Sequence, residues 1–100
     1  MLKNLTATDF SEHLDTKFRL FRQEGLPIDL ILTEVDDGFD QKELEQFILI
    51  FRGPKDDLLG QGSYTVKHPR MGSLDLFMIP TISSDQSSYY YQVCFCRLVQ

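Results

Sequence analysis

EQFILIFRG, residues 45–53, alternates Phe47, Leu49 and Phe51 against Ile48 and Ile50, so that both sets are apolar. A period of two is the spacing of a β-strand, because successive Cβ atoms leave the backbone on opposite sides. Apolar side chains on both sides predict a central strand covered on both faces, and they make this stretch the core of the domain. Arg52, Gly53 and Pro54 are expected to end it. Proline brings no amide hydrogen to a ladder, and glycine adopts backbone angles closed to other residues.

The same period extends outward in both directions. Towards the N-terminus, Phe18, Leu20 and Arg22 oppose Lys17, Arg19 and Phe21. EGLP punctuates, and IDLILTEVD then sets Ile28, Leu30 and Leu32 against Asp29, Ile31, Thr33 and Val35. The acidic stretch DDGFDQKE, residues 36–43, reads as a solvated hairpin connection. Towards the C-terminus, GPKDDLLGQG interrupts, SYTVKH (63–68) resumes, and PRMG connects to LDLFMI (74–79). A polar loop, TISSDQSS, precedes the last strand, YYYQVCFCRLV (89–99). Before all of these, Thr6 to Leu14 carries a helix signal: Asp9 and Glu12 have capping-box spacing, and Phe10 and Leu14 recur at helical spacing. Connections too short for helical crossovers force antiparallel pairing. The expectation is a mainly β chain, residues 1–100 forming a single small antiparallel β sandwich or partly closed barrel of about six strands with one short N-terminal helix.

One hundred residues at 42% apolar content suffice for one core and not for two. Fifteen acidic against ten basic side chains leave a formal charge of −5, which repels a phosphate backbone and supplies no counterion release. Neither nucleic acid nor an anionic membrane surface is an expected partner. There is no run of about eighteen apolar residues that would span a bilayer. The opening MLKNLTATDFSEHL lacks the apolar segment of a secretory signal, so a cytoplasmic location is the default. Both cysteines lie in CFC, Cys94 and Cys96. Residues two apart in a strand have Cα atoms about 6.6 Å apart, at the edge of disulfide reach, so reduced thiols are expected.

The stretch from Phe51 to Pro80 is dense in Gly, Pro and charge, and its motifs are better read as turn chemistry than as a site. Lys55, Asp56 and Asp57 lack the interleaved oxygen donors and terminal Glu of a calcium loop. Gly60-Gln61-Gly62 leads into a strand, whereas phosphate cradles lead into a helix. Histidine titrates near neutrality as a residue type, which makes His68 a candidate for acid–base chemistry, and Asp75 on the next strand is the acid that would approach it across the hairpin. No nucleophile accompanies them, so His68 is expected to end its strand and hydrogen-bond the loop backbone. His13 has no His or Cys at ligand spacing. No catalytic residue, cofactor site or metal site is expected. If FRGP, GQG and HPRMG are turn devices, Gly53, Gly62 and Gly72 should include positions with positive φ. Tyr89, Tyr90 and Tyr91 form the candidate interaction surface, because tyrosine adds contact area at low entropic cost.

FRGP at 51–54, QGSYTVKHPRMGSLDLFMIP at 61–80 and an aromatic closing strand together resemble a family of small, functionally uncharacterised bacterial β domains. The resemblance implies a compact β domain without known activity and a loose association with proteins of phage-tail or tail-collar type. The leading expectation is a non-enzymatic interaction or accessory module that binds another protein, such as a tail-collar or fibre subunit, with self-association left open. The alternative is a small-ligand barrel whose pocket is lined by Tyr64, Phe77 and Tyr91.

Overall fold

The computed structural model describes residues 6–37, 44–81 and 88–98. The loops expected at 38–43 and 82–87 lie outside them. Six strands, β1 (Lys17–Phe21), β2 (Ile28–Asp36), β3 (Leu44–Pro54), β4 (Gly62–His68), β5 (Gly72–Thr81) and β6 (Ser88–Leu98), follow one five-residue helix, α1 (Ala7–Ser11). All pairings are antiparallel, and the order β1-β2-β3-β6-β5-β4 closes on itself through β4 and β1. The partly closed alternatives of the sequence reading thus resolve into a closed barrel.

Inward-facing residues alternate along every strand and fill the interior. Phe18, Leu20, Leu30, Leu32, Leu49, Phe51, Val66, Met78 and Tyr91 have no exposed surface. Phe47 and Phe95 sit opposite each other on β3 and β6, and their rings stack with centroids 4.7 Å apart. β3 is central, between β2 and β6, but it is not covered on both faces. Phe47, Leu49 and Phe51 are buried, whereas Ile48 and Ile50 are half-buried on the outside. A small barrel has one inside, so only one alternating set of a wall strand can be enclosed.

β2 corrects the expected alternation. Its register with β3 shifts between Leu32 and Glu34, a bulge at Thr33. One extra residue moves every later side chain to the other face. Val35, expected beside Ile31, therefore packs against the core. The Thr33 hydroxyl donates to the Ile50 carbonyl across the bulge at 3.2 Å.

Each end of the barrel has its own plug. At the end where β1 begins, α1 brings Phe10, fully buried, to 5.4 Å from the Phe95 ring and 6.0 Å from the Phe47 ring. The capping box is formed by Thr6 and Asp9, not by Asp9 and Glu12. The Thr6 amide donates to Asp9 Oδ2 at 2.9 Å and the Asp9 amide to Thr6 Oγ1 at 3.3 Å. At the opposite end, β3 and β4 stand three places apart in either direction around the barrel. Their connection, residues 55–61, therefore crosses the mouth and buries Leu59 in it. Arg22 locks this lid: its guanidinium donates to both Asp57 carboxylate oxygens, at 2.9 and 2.7 Å, and its Nε donates to the Leu26 carbonyl at 2.9 Å. These bonds hold the Asp57 carboxyl below its usual range.

Of the three glycines expected to include positive φ, only Gly72 has it, at 79°, in the β4–β5 turn; among the described residues Gly25 in the β1–β2 turn has it too. Gly53 does not help to end β3. It lies within the strand, paired with Tyr89, and the strand runs on to Pro54.

Candidate functional site

Two chain reversals meet at the end of the barrel that α1 caps. The α1–β1 turn carries Glu12, His13, Thr16 and Lys17, the β4–β5 turn carries His68, Pro69 and Arg70, and together they line an open cleft of about 710 Å³. Asp15, with φ of 65°, bends the first turn, and the Asp15 amide donates to the Leu32 carbonyl at 2.8 Å. This bond seats His13 and Thr16 against the barrel.

His68 ends β4, as expected, and its ring turns inward under Phe18, with centroids 4.4 Å apart. Nδ1 accepts two backbone amides, from Arg70 at 3.0 Å and Met71 at 3.2 Å. An imidazole nitrogen that accepts carries no proton, so the proton is on Nε2. Nε2 then donates to Thr16 Oγ1 at 3.0 Å, and the Thr16 hydroxyl passes its own hydrogen to the His13 carbonyl at 2.6 Å. Burial, with smaller contributions from His13 and Arg70, pushes the His68 pKa below its ordinary value. His68 is thus a neutral pin between the two turns, with both nitrogens occupied.

The acid suggested as its partner is elsewhere. Asp75 is opposite Thr65 and accepts that residue's hydroxyl at 3.0 Å, while His68 is opposite Gly72. The residue that does reach His68 is His13, whose ring lies 4.6 Å away. No sequence spacing pointed to this pair, because 55 positions separate the two histidines. Among the described residues, no group of three or more His, Cys, Asp or Glu side chains is arranged to hold a metal ion. The Cys94 thiol is free and exposed and accepts a hydrogen bond from Gln92 Nε2 at 3.1 Å; the Cys96 side chain lies outside the described set.

The tyrosine run divides. Tyr89 is exposed and Tyr90 half-buried, so these two can present surface. Tyr91 cannot: it is fully enclosed, and its hydroxyl accepts the Leu59 amide at 2.9 Å, closing the lid from inside. Burial raises its phenol pKa. Tyr91 therefore leaves the candidate interaction surface for the core. The pocket lined by Tyr64, Phe77 and Tyr91 does not form either. Phe77 lies on the outer wall, on the opposite face from the buried Leu76 and Met78, and is 47% exposed.

A family model described as a domain of unknown function matches residues 5–95. The chain belongs to the DUF6916 family. No curated protein and no solved structure matches it. The match bears out the resemblance as far as an uncharacterised domain family. No helix among the described residues is long and apolar enough to cross a membrane.

Proposed function

We propose that this DUF6916 domain is a non-enzymatic protein-interaction module that works through its outer surface. The observation that carries this reading is the state of His68, a histidine buried beside the core: both ring nitrogens serve the scaffold, so the most reactive-looking group holds two turns together. The interior is filled by side chains, as in small barrels of this size. What is left for recognition is the wall and the rims, where Tyr89, Phe77 and Phe21 expose aromatic surface. Aromatic side chains of this kind anchor protein partners. A structural subunit of tail-collar or fibre type is the partner class suggested by the sequence resemblance.

Affinity capture from the native host, with the full chain as bait, tests the module reading. One recurring partner, lost when Tyr89 and Phe77 are both replaced by Ala, is the expected result. Capture of no recurring protein at all counts against the class itself.

A further inference from the structure

β4 is longer than the part of it that β1 covers. The register pairs Arg19, Leu20 and Phe21 with Lys67, Val66 and Thr65, and its continuation would set Arg22 against Tyr64 and Gln23 against Ser63. The chain departs instead, because the Arg22 side chain is drawn over the barrel mouth to Asp57 and the Leu26 carbonyl. Gly62, Ser63 and Tyr64 remain in strand conformation and pair with Met78, Phe77 and Leu76 of β5 on their other side. On the side that β1 has left, no described strand pairs with them. The gap is an open groove of about 510 Å³ lined by Phe21 to Gln23 and Gly62 to Thr65.

This groove has the chemistry of a chain-binding edge. Every second residue of an uncovered strand edge turns its N–H and C=O outward in an alternating donor and acceptor pattern, which an extended backbone matches. The floor is not obstructed by side chains: Gly62 has none, and a Cβ placed there would have Tyr64 Cε2, 4.0 Å away, as its nearest neighbour. The Tyr64 hydroxyl is held away on the Gly60 carbonyl at 2.7 Å. On the outer wall, Phe21 beside Thr65 and Phe77 beside Ser63 leave exposed rings flanking two small side chains. An apolar side chain of an incoming strand that faces Ser63 would lie beside Phe21 along the line of β1 and reach towards Phe77 across the small Ser63 side chain.

We infer that the β4 edge at Gly62–Tyr64 binds an extended peptide segment of a partner protein, added antiparallel to β4 along the line that β1 leaves at Phe21. Backbone hydrogen bonds hold such a segment, and the exposed rings of Phe21 and Phe77 favour an apolar residue at the position facing Ser63. This inference rests on the interaction-module reading and gives that module its surface.

The test is selection from a random-peptide display library against the full chain, followed by titration of the recovered synthetic peptide into isotope-labelled protein. The expected result is that the largest amide shifts fall on Phe21–Gln23 and Gly62–Thr65. Edge amides of Gly62–Tyr64 should exchange more slowly in the complex. Phe77→Ala, an exposed position whose loss leaves the fold intact, should weaken binding about tenfold. Phe21→Ala should act in the same direction. Shifts centred on Tyr89 and Tyr90 or on the His13 cleft overturn the edge as the docking site and leave the module reading standing. Enrichment of no peptide overturns the edge as well, whereas only the failure of partner capture speaks against the module.

Discussion

Gly53→Ala tests how tightly the barrel is closed. Gly53 lies in β3 with unexceptional φ, so backbone strain plays no part; the obstacle is space inside the barrel. A Cβ built there would stand 2.9 Å from Leu30 Cδ2 and 3.1 Å from Tyr91 Cε2. Neither neighbour has an easy retreat. Leu30 and Tyr91 are both fully buried, and the Tyr91 hydroxyl is tied to the Leu59 amide. Forcing a methyl into a filled core costs about 1–3 kcal/mol. Removing glycine's extra freedom in the unfolded chain returns about 0.4–1 kcal/mol. The net loss is roughly 1–2 kcal/mol. For a domain of this size each kcal/mol lowers Tm by roughly 4–8 °C. Urea denaturation should therefore show a lower midpoint with an unchanged slope, the sign of lost stability without a change in the surface exposed on unfolding. Gly62→Ala is the internal control: its new Cβ has nothing closer than 4.0 Å, and φ is not positive, so stability should stay level or rise slightly. A Gly53→Ala protein as stable as the parent would refute the close contact of β2, β3 and β6 at this point.

Two further outcomes follow from the same packing. Tyr91→Phe removes the acceptor of the Leu59 amide while keeping the ring, which leaves a buried donor without its partner at a cost of about 1–3 kcal/mol; hydrogen exchange across residues 55–61 should accelerate more than exchange in β4. The His68 pKa is lowered on folding, so the unfolded chain takes up this proton first as pH falls. Its contribution to stability is whole above the unfolded value near 6.5 and is lost progressively below it. Denaturant midpoints of the parent and of His68→Asn should accordingly draw together between neutral and mildly acidic pH, and a gap that widens on acidification would contradict the neutral pin.

Much of the fold was legible because local patterns carried it. All six strands were expected within a few residues of their observed bounds, since period-two alternation and the breaks at EGLP, PRMG and GPKDDLLGQG are features of neighbouring residues. The role of His68 as a strand terminus bonded to loop amides was also readable, because a histidine before Pro69 and a short turn has its acceptors close at hand. The misread positions involve contacts between distant segments. Alternation in β3 shows two apolar faces but cannot say which one is enclosed, and a one-residue bulge at Thr33 reverses the face of Val35 without any signal from glycine or proline.

The amino-acid sequence by itself determined the strands and their antiparallel joining, because spacing and turn chemistry act over a few residues. Only the tertiary structure decided that β4 closes on β1, that β3 lies against β6, and that the β3–β4 connection must cross the mouth. Those pairings enclosed Tyr91 and left Gly53 without room for a side chain. They also brought His13 onto His68 across 55 positions and left Gly62–Tyr64 of β4 without a pairing strand among the described residues where Arg22 departs. The physical reason is that an inward or outward face is a property of the closed barrel, set by which remote strands share a ladder, and no local period records it.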